Sequence, residues 1–159
     1  MSSSETPLLF DDIRVGTVMS TSEEYEITRE EVIEVARRWD PMPIHLDEAA
    51  ATATEMAGLV ASTLHVLFAS MHLAAREEPK VAIVAGIGLD DVRALHRVRP
   101  GDRLRQTAEV IDLRPSRSRR DRGIVRIRRT VRNQDGVEVL TYSGTWLVER
   151  APSSSLDPS

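Results

Sequence analysis

The chain has 159 residues, 41% hydrophobic and 29% charged, the profile of one globular domain large enough to bury a core. It has no cysteine, which excludes disulfides and thiolate chemistry, and no apolar run long enough to span a bilayer. The net charge of −4 conceals an asymmetry: residues 1–60 carry 13 Asp or Glu against 4 Arg, residues 93–132 carry 14 Arg against 4 Asp or Glu, and opposed fields of this kind favour an anionic ligand at one end or self-association.

The chain begins MSSSETPLLF, which lacks the basic-then-apolar pattern of a secretory signal, so a cytoplasmic location is expected. Residues 1–7 and 151–159 are rich in Ser and Pro and poor in core formers, and flexible tails are expected on either side of a single domain at 8–150. Thr17 to Ile27 is rich in Thr, Ser, Val and Tyr and reads as a strand. Thr28 and Glu31 have capping-box spacing, and Val32, Val35, Ala36 and Trp39 continue at helical period. Pro41 and Pro43 stop that helix, and Asp47 is placed to cap a short one after it.

Residues 58–78, GLVASTLHVLFASMHLAAREE, are apolar or small on nearly every face, which predicts a long helix buried all round. Beyond Pro79 the period changes. VAIVAGIGLDDVRALHRV reads as strand, turn, strand, and three further strands follow, the last two joined by NQDG. In the middle one, Val125, Ile127 and Val131 share one face while Arg126, Arg128, Thr130 and Arg132 share the other, the pattern of a sheet with one side on a core. One buried helix followed by a run of antiparallel strands gives an α+β chain with the sheet wrapped around the helix, and its open edges point to a homodimer.

The chemistry concentrates in WDPMPIHLD, residues 39–47. Two prolines remove most of the freedom between Asp40 and His45, and a positioned carboxylate and imidazole can share one water as general acid and base. On spacing alone two readings stand: this pair, or an aspartate that caps a turn beside a histidine packed near Asp47.

DPMPIHLD resembles the hydratase signature Asp-x-Asn-Pro-x-His of the MaoC-like dehydratases, the (R)-specific enoyl-CoA hydratase family. The resemblance continues through GLVASTLH, VRPGDRL and RPSRSRRDRGIV, and covers most of residues 8–149. It implies a hot-dog dimer that adds water to a trans-2-enoyl-CoA thioester to give the (R)-3-hydroxyacyl product, or runs the reverse. Asp40 and His45 fall on the family's catalytic pair. Ser62, Thr63 and Met42 fall on the oxyanion and substrate-binding positions, the oxyanion donor being a backbone N–H near Thr63 at the start of the buried helix. CoA belongs to the substrate, and no separate cofactor is implied. Two departures stand out: Met42 replaces the signature's asparagine and has no comparable hydrogen bond to offer, and Thr63 replaces a frequent glycine.

Other signals carry less. His65 and His72 lie seven apart on the central helix with no acid or cysteine to complete a metal set, so core or pocket-wall roles are expected for them and for His96; no metal is expected. RPSRSRRDR, residues 114–122, has five arginines; a solvated hairpin is the first reading and contact with CoA phosphates another. No aromatic interleaves the arginines and the net charge is negative, which speaks against nucleic acid. GIGLDD opens no helix, which speaks against a nucleotide fold. Two rival functions remain, a hot-dog acyl-CoA thioesterase and a non-catalytic acyl-CoA-binding subunit. The first has little use for an Asp and a His five residues apart, and Met42 and Thr63 favour the second.

Overall fold

A computed structural model describes residues 6–152. Residues 1–5 and 153–159, most of the two expected tails, lie outside the described residues. After a 3-10 turn at Phe10–Asp12 come strands β1 (Val18–Ser20) and β2 (Tyr25–Glu26), then helices α1 (Arg29–Trp39), α2 (Pro43–Leu46), α3 (Glu48–Thr52) and α4 (Thr63–Ala74). Four long strands follow: β3 (Ile83–Ala94), β4 (Arg103–Pro115), β5 (Arg122–Arg132) and β6 (Glu138–Glu149). They form one antiparallel sheet in the order β1-β4-β5-β6-β3, with β2 also paired to β4, and α4 packs against its inner face in the hot-dog arrangement.

Local chemistry explains most boundaries. Thr28 accepts the Glu31 N–H at 3.2 Å and starts α1, as the capping spacing predicts. Asp47 accepts the Ala50 N–H at 2.7 Å and starts α3. Three expectations shift. The strand expected over Thr17–Ile27 is broken into β1 and β2. The helix expected over 58–78 spans only Thr63–Ala74, because Ser62 caps it by accepting the His65 N–H at 3.2 Å. That helix is buried through Val66, Ala69 and Leu73, but Leu64 and Phe68 are exposed, so it is not covered on every side. The third is the strand–turn–strand expected after Pro79, which is one bulged strand, β3, with Asp91 at a positive φ of 52° taking up the irregularity.

The core forms two clusters. One packs Val66, Ala69 and Leu73 of α4 onto Leu104, Val131, Leu140 and Tyr142 of the sheet. The other gathers Phe10, Ile13 and Met19 over Val110, Val125 and Ile127. Val125, Ile127 and Val131 share the buried face of β5 as expected, and Arg129 joins them there. Its Nη2 donates to Glu77 Oε2 at 3.0 Å, Gln106 Nε2 donates to Glu77 Oε1 at 2.5 Å, and Ser70 links Gln106 to the Tyr142 hydroxyl. The guanidinium also lies 5.6 Å from the Trp146 ring centroid, facing its π cloud.

Part of the charge asymmetry closes on itself. Glu24 takes Arg103 and Arg105, Glu23 takes Arg76, and Asp11 takes Arg150 at 2.8 Å together with the Ala151 N–H at 3.2 Å. Among the described residues no helix is long and apolar enough to cross a membrane.

The Glu77–Arg129 pair is almost fully buried, and removing one partner strands a charge. Arg129→Met is expected to cost about 3–5 kcal/mol in urea unfolding, and the double variant Glu77→Met with Arg129→Met to recover most of it.

Candidate active site

Asp40 ends α1, its N–H donating to Ala36 O at 2.9 Å, and Pro41 prevents the helix from continuing. Two residues on, Pro43 takes the first position of α2, where its missing N–H costs nothing and its fixed φ suits a helix. The prolines therefore close one helix and open the next. His45 lies on the single turn of α2, held by its own N–H to Met42 O at 3.0 Å.

That turn buries the imidazole and points its Nδ1 at Val60 O, 2.7 Å away. A carbonyl only accepts, so Nδ1 carries the proton in the neutral ring and Nε2 is left with a lone pair. Nε2 lies 3.7 Å from Asp40 Oδ2. Two acceptors at that separation do not bond to each other, but hydrogen bonds of about 2.8 Å from the two O–H groups of one water span the gap. The carboxylate is about one-third exposed and the imidazole 8% exposed, so solvent reaches the pair from the aspartate side.

Both side chains line a cavity of about 430 Å³. Met42, half exposed, lines it too, as does Thr63, the first residue of α4. The first N–H groups of a helix have no intrahelical partner, and the macrodipole is positive at that end. Ala94 to Val98 form one wall and Val139 and Leu140 another.

Of the expected site residues, Asp40, His45, Met42 and Thr63 come together, and Ser62 does not. Ser62 is buried, its hydroxyl is occupied in capping α4, and it is absent from the cavity wall. Of the apolar residues around the start of α4, Val60 lines the cavity, Leu59 is in the core and Leu64 is exposed elsewhere. His96 is a wall residue with Nδ1 3.0 Å from Glu138 O. His65 is a core residue, whereas His72 is exposed against the edge of Tyr25. Arg97 lines the cavity with no pattern in the sequence to announce it.

The arginine-rich turn between β4 and β5 sits elsewhere. Gly123 pairs with Pro115 and Val148 beside it, whereas the cavity end of β6 is Leu140, eight residues away or about 27 Å at strand rise. Within one chain the turn is a solvated hairpin remote from the cavity.

The match to a known family model is extensive. The MaoC like domain model covers residues 12–133. The chain belongs to this family. Its fold superposes on the crystal structure of the MaoC-like dehydratase from Rhodospirillum rubrum with a TM-score of 0.82 and 30% identity, over 91% of this chain and 99% of that one. It also matches the R-hydratase PhaJ1 from Pseudomonas aeruginosa in fold, with a TM-score of 0.72 and 21% identity over 96% of both chains. The YdeM protein of Bacillus subtilis, described as uncharacterized, is 27% identical over 141 residues, covering 88% of this chain and 98% of YdeM. Within the matched region the DPMPIHLD segment is the α1–α2 junction, and the cavity lies beside it.

Burial of His65 holds its pKa below the usual 6.5, with the Glu31 carboxylate 3.8 Å away opposing the shift. The unfolded chain then binds the proton more readily, so stability is full above about pH 6.5 and declines as pH falls from there towards the depressed folded value. His65→Gln is expected to reduce this acid-side loss, read as a smaller difference between urea midpoints at about pH 7.5 and about pH 5.5.

Proposed function

We propose that the protein is a hydro-lyase of acyl-CoA thioesters, adding water to trans-2-enoyl-CoA to give (R)-3-hydroxyacyl-CoA or catalysing the reverse dehydration. The reading rests above all on one observation, the Asp40 carboxylate and the His45 Nε2 lone pair 3.7 Å apart on the wall of a cavity that the α4 N-terminus also lines. The water oxygen bonds to the β-carbon while the pair takes one of its protons. The π electrons move through the α-carbon onto the thioester oxygen as an enolate. The pair then returns a proton to the α-carbon, so both side chains end as they began and the net change is addition of H and OH. The developing charge on the thioester oxygen is met by the first N–H groups of α4 near Thr63, in a site partly shielded from water. Its β-branch leaves that N–H intact and narrows the approach. CoA enters as part of the substrate, with no separate cofactor, and Met42 replaces a polar contact with an adaptable apolar one beside the acyl group.

The same reading includes a homodimer. All twelve residues of β3 are exposed, Ile83, Val84, Ile87, Leu89 and Val92 among them, and β3 is the last strand on its side of the sheet. Leu64 and Phe68 of α4 are exposed as well. A long apolar edge strand with unpaired backbone groups favours a second strand of the same kind. Ile87→Lys with Leu89→Lys is expected to give a monomer by light scattering coupled to size exclusion, the wild type a dimer.

Loss of the conjugated enoyl absorbance without release of free thiol is the expected assay result for trans-2-enoyl-CoA substrates. Thiol release indicates a thioesterase, and neither change a binding subunit. Asp40→Asn and His45→Ala are each expected to lower turnover by about 10²–10⁴-fold with the circular dichroism spectrum retained. Wild-type turnover in either variant refutes the mechanism.

A further inference from the structure

The segment Met56–Ser62 supplies both the carbonyl that binds His45 and the residue that caps α4. Its path is sterically demanding: Ala57 has a φ of 53° and Gly58 a φ of 134°, a region that residues with a Cβ seldom enter. Two side chains from outside hold it there. Arg99 Nη2 donates to Met56 O at 2.6 Å, and Glu48 Oε1 accepts the Leu59 N–H at 3.3 Å. Arg29 donates to the other Glu48 oxygen at 2.8 Å and fixes the carboxylate. A Cβ at Gly58 would stand 3.1 Å from Arg99 Nη1 and 3.2 Å from Glu48 Oε1, so the two side chains close over that glycine.

Val60, which follows Leu59, receives His45 Nδ1 on its carbonyl. The Val60–Ala61 peptide is tied on its far side by the Ala61 N–H to Val98 O at 2.8 Å. On the near side two ties act, the Val60 N–H to Ile44 O at 3.3 Å and, one residue earlier, Glu48 on the Leu59 N–H, the only one of the three made by a side chain. We propose that Glu48 is a positioning residue: by holding the Leu59 amide it aims the Val60 carbonyl at His45 Nδ1, and so keeps the imidazole in the tautomer whose Nε2 lone pair faces Asp40. Glu48 is absent from the cavity wall and acts only through the backbone. Its carboxyl is held below the usual glutamate range, chiefly by the Arg29 hydrogen bond and next by the Leu59 N–H, so it stays an acceptor. Removing it frees the Leu59 end of a segment whose conformation is already unfavourable.

The catalytic consequence rests on the hydratase reading, but the tautomer does not, and the test separates them. Nitrogen-15 NMR of His45 in alkaline buffer, where imidazole is neutral, reads the protonated ring nitrogen without substrate. In the wild type Nδ1 is expected to carry the proton. In Glu48→Ala the signal moves towards the Nε2–H form that free histidine prefers, and kcat for enoyl-CoA hydration falls about tenfold to a hundredfold with KM within about twofold. Glu48→Gln keeps an oxygen for the Leu59 N–H and restores both readouts. Glu48→Asp withdraws the acceptor by one methylene and carries the same expectation as alanine, should Glu48→Ala lose its fold. An unchanged tautomer in a folded alanine or aspartate variant overturns the proposal, as does failure of glutamine to restore it. A wild type with no hydration activity overturns the function proposed above, while the tautomer shift still decides this one.

Discussion

The hydrogen bond between His45 Nδ1 and Val60 O is the constraint on which the rest of the site depends. It assigns the proton within the imidazole and so decides which nitrogen can act as a base. It also joins two stretches of chain that sequence alone leaves separate: the proline-flanked turn of α2 and the strained approach to α4. Because Ser62 caps α4 two residues after Val60, one short segment sets both the orientation of the His45 imidazole and the point where the helix begins. The position of the imidazole and that of the α4 N-terminus are therefore linked through the backbone of one segment.

Much of this was legible in the sequence. Asp40 and His45 stood out because prolines on either side of Met42 leave few conformations, and the structure brings them to one cavity wall. The helix caps were legible because Thr28 and Asp47 have short oxygen-bearing side chains before a helical period, and both accept the expected amide. The face of β5 was legible from alternation, except that Arg129 appears in the text as one more surface charge. Its partner Glu77 is 52 residues away, and no local pattern announces a contact at that range. The same limit hid Arg97, whose place on the cavity wall beside the expected His96 arises only when β3 folds beside β6.

The mistaken boundaries share a cause. Hydrophobicity in residues 58–62 signals burial but not helix, and Leu59 and Val60 are buried outside any helix or strand. Periodicity cannot separate those cases over so few residues. Likewise the turn expected within VAIVAGIGLDDVRALHRV is absent, because a bulge between Asp90 and Arg93 takes up the irregularity and the strand continues. Within the site, the departures at Met42 and Thr63 fall on the cavity wall, and neither side chain makes the contacts that orient His45.

The clasp between Asp11 and Arg150, with the Ala151 amide on the same carboxylate, brings the beginning and end of the domain within one hydrogen bond of each other. Chain order is then separable from architecture. A short peptide could join the two ends, and the exposed turn at residues 116–121, remote from the cavity, could be opened instead to make a circular permutant with the same sheet and the same site.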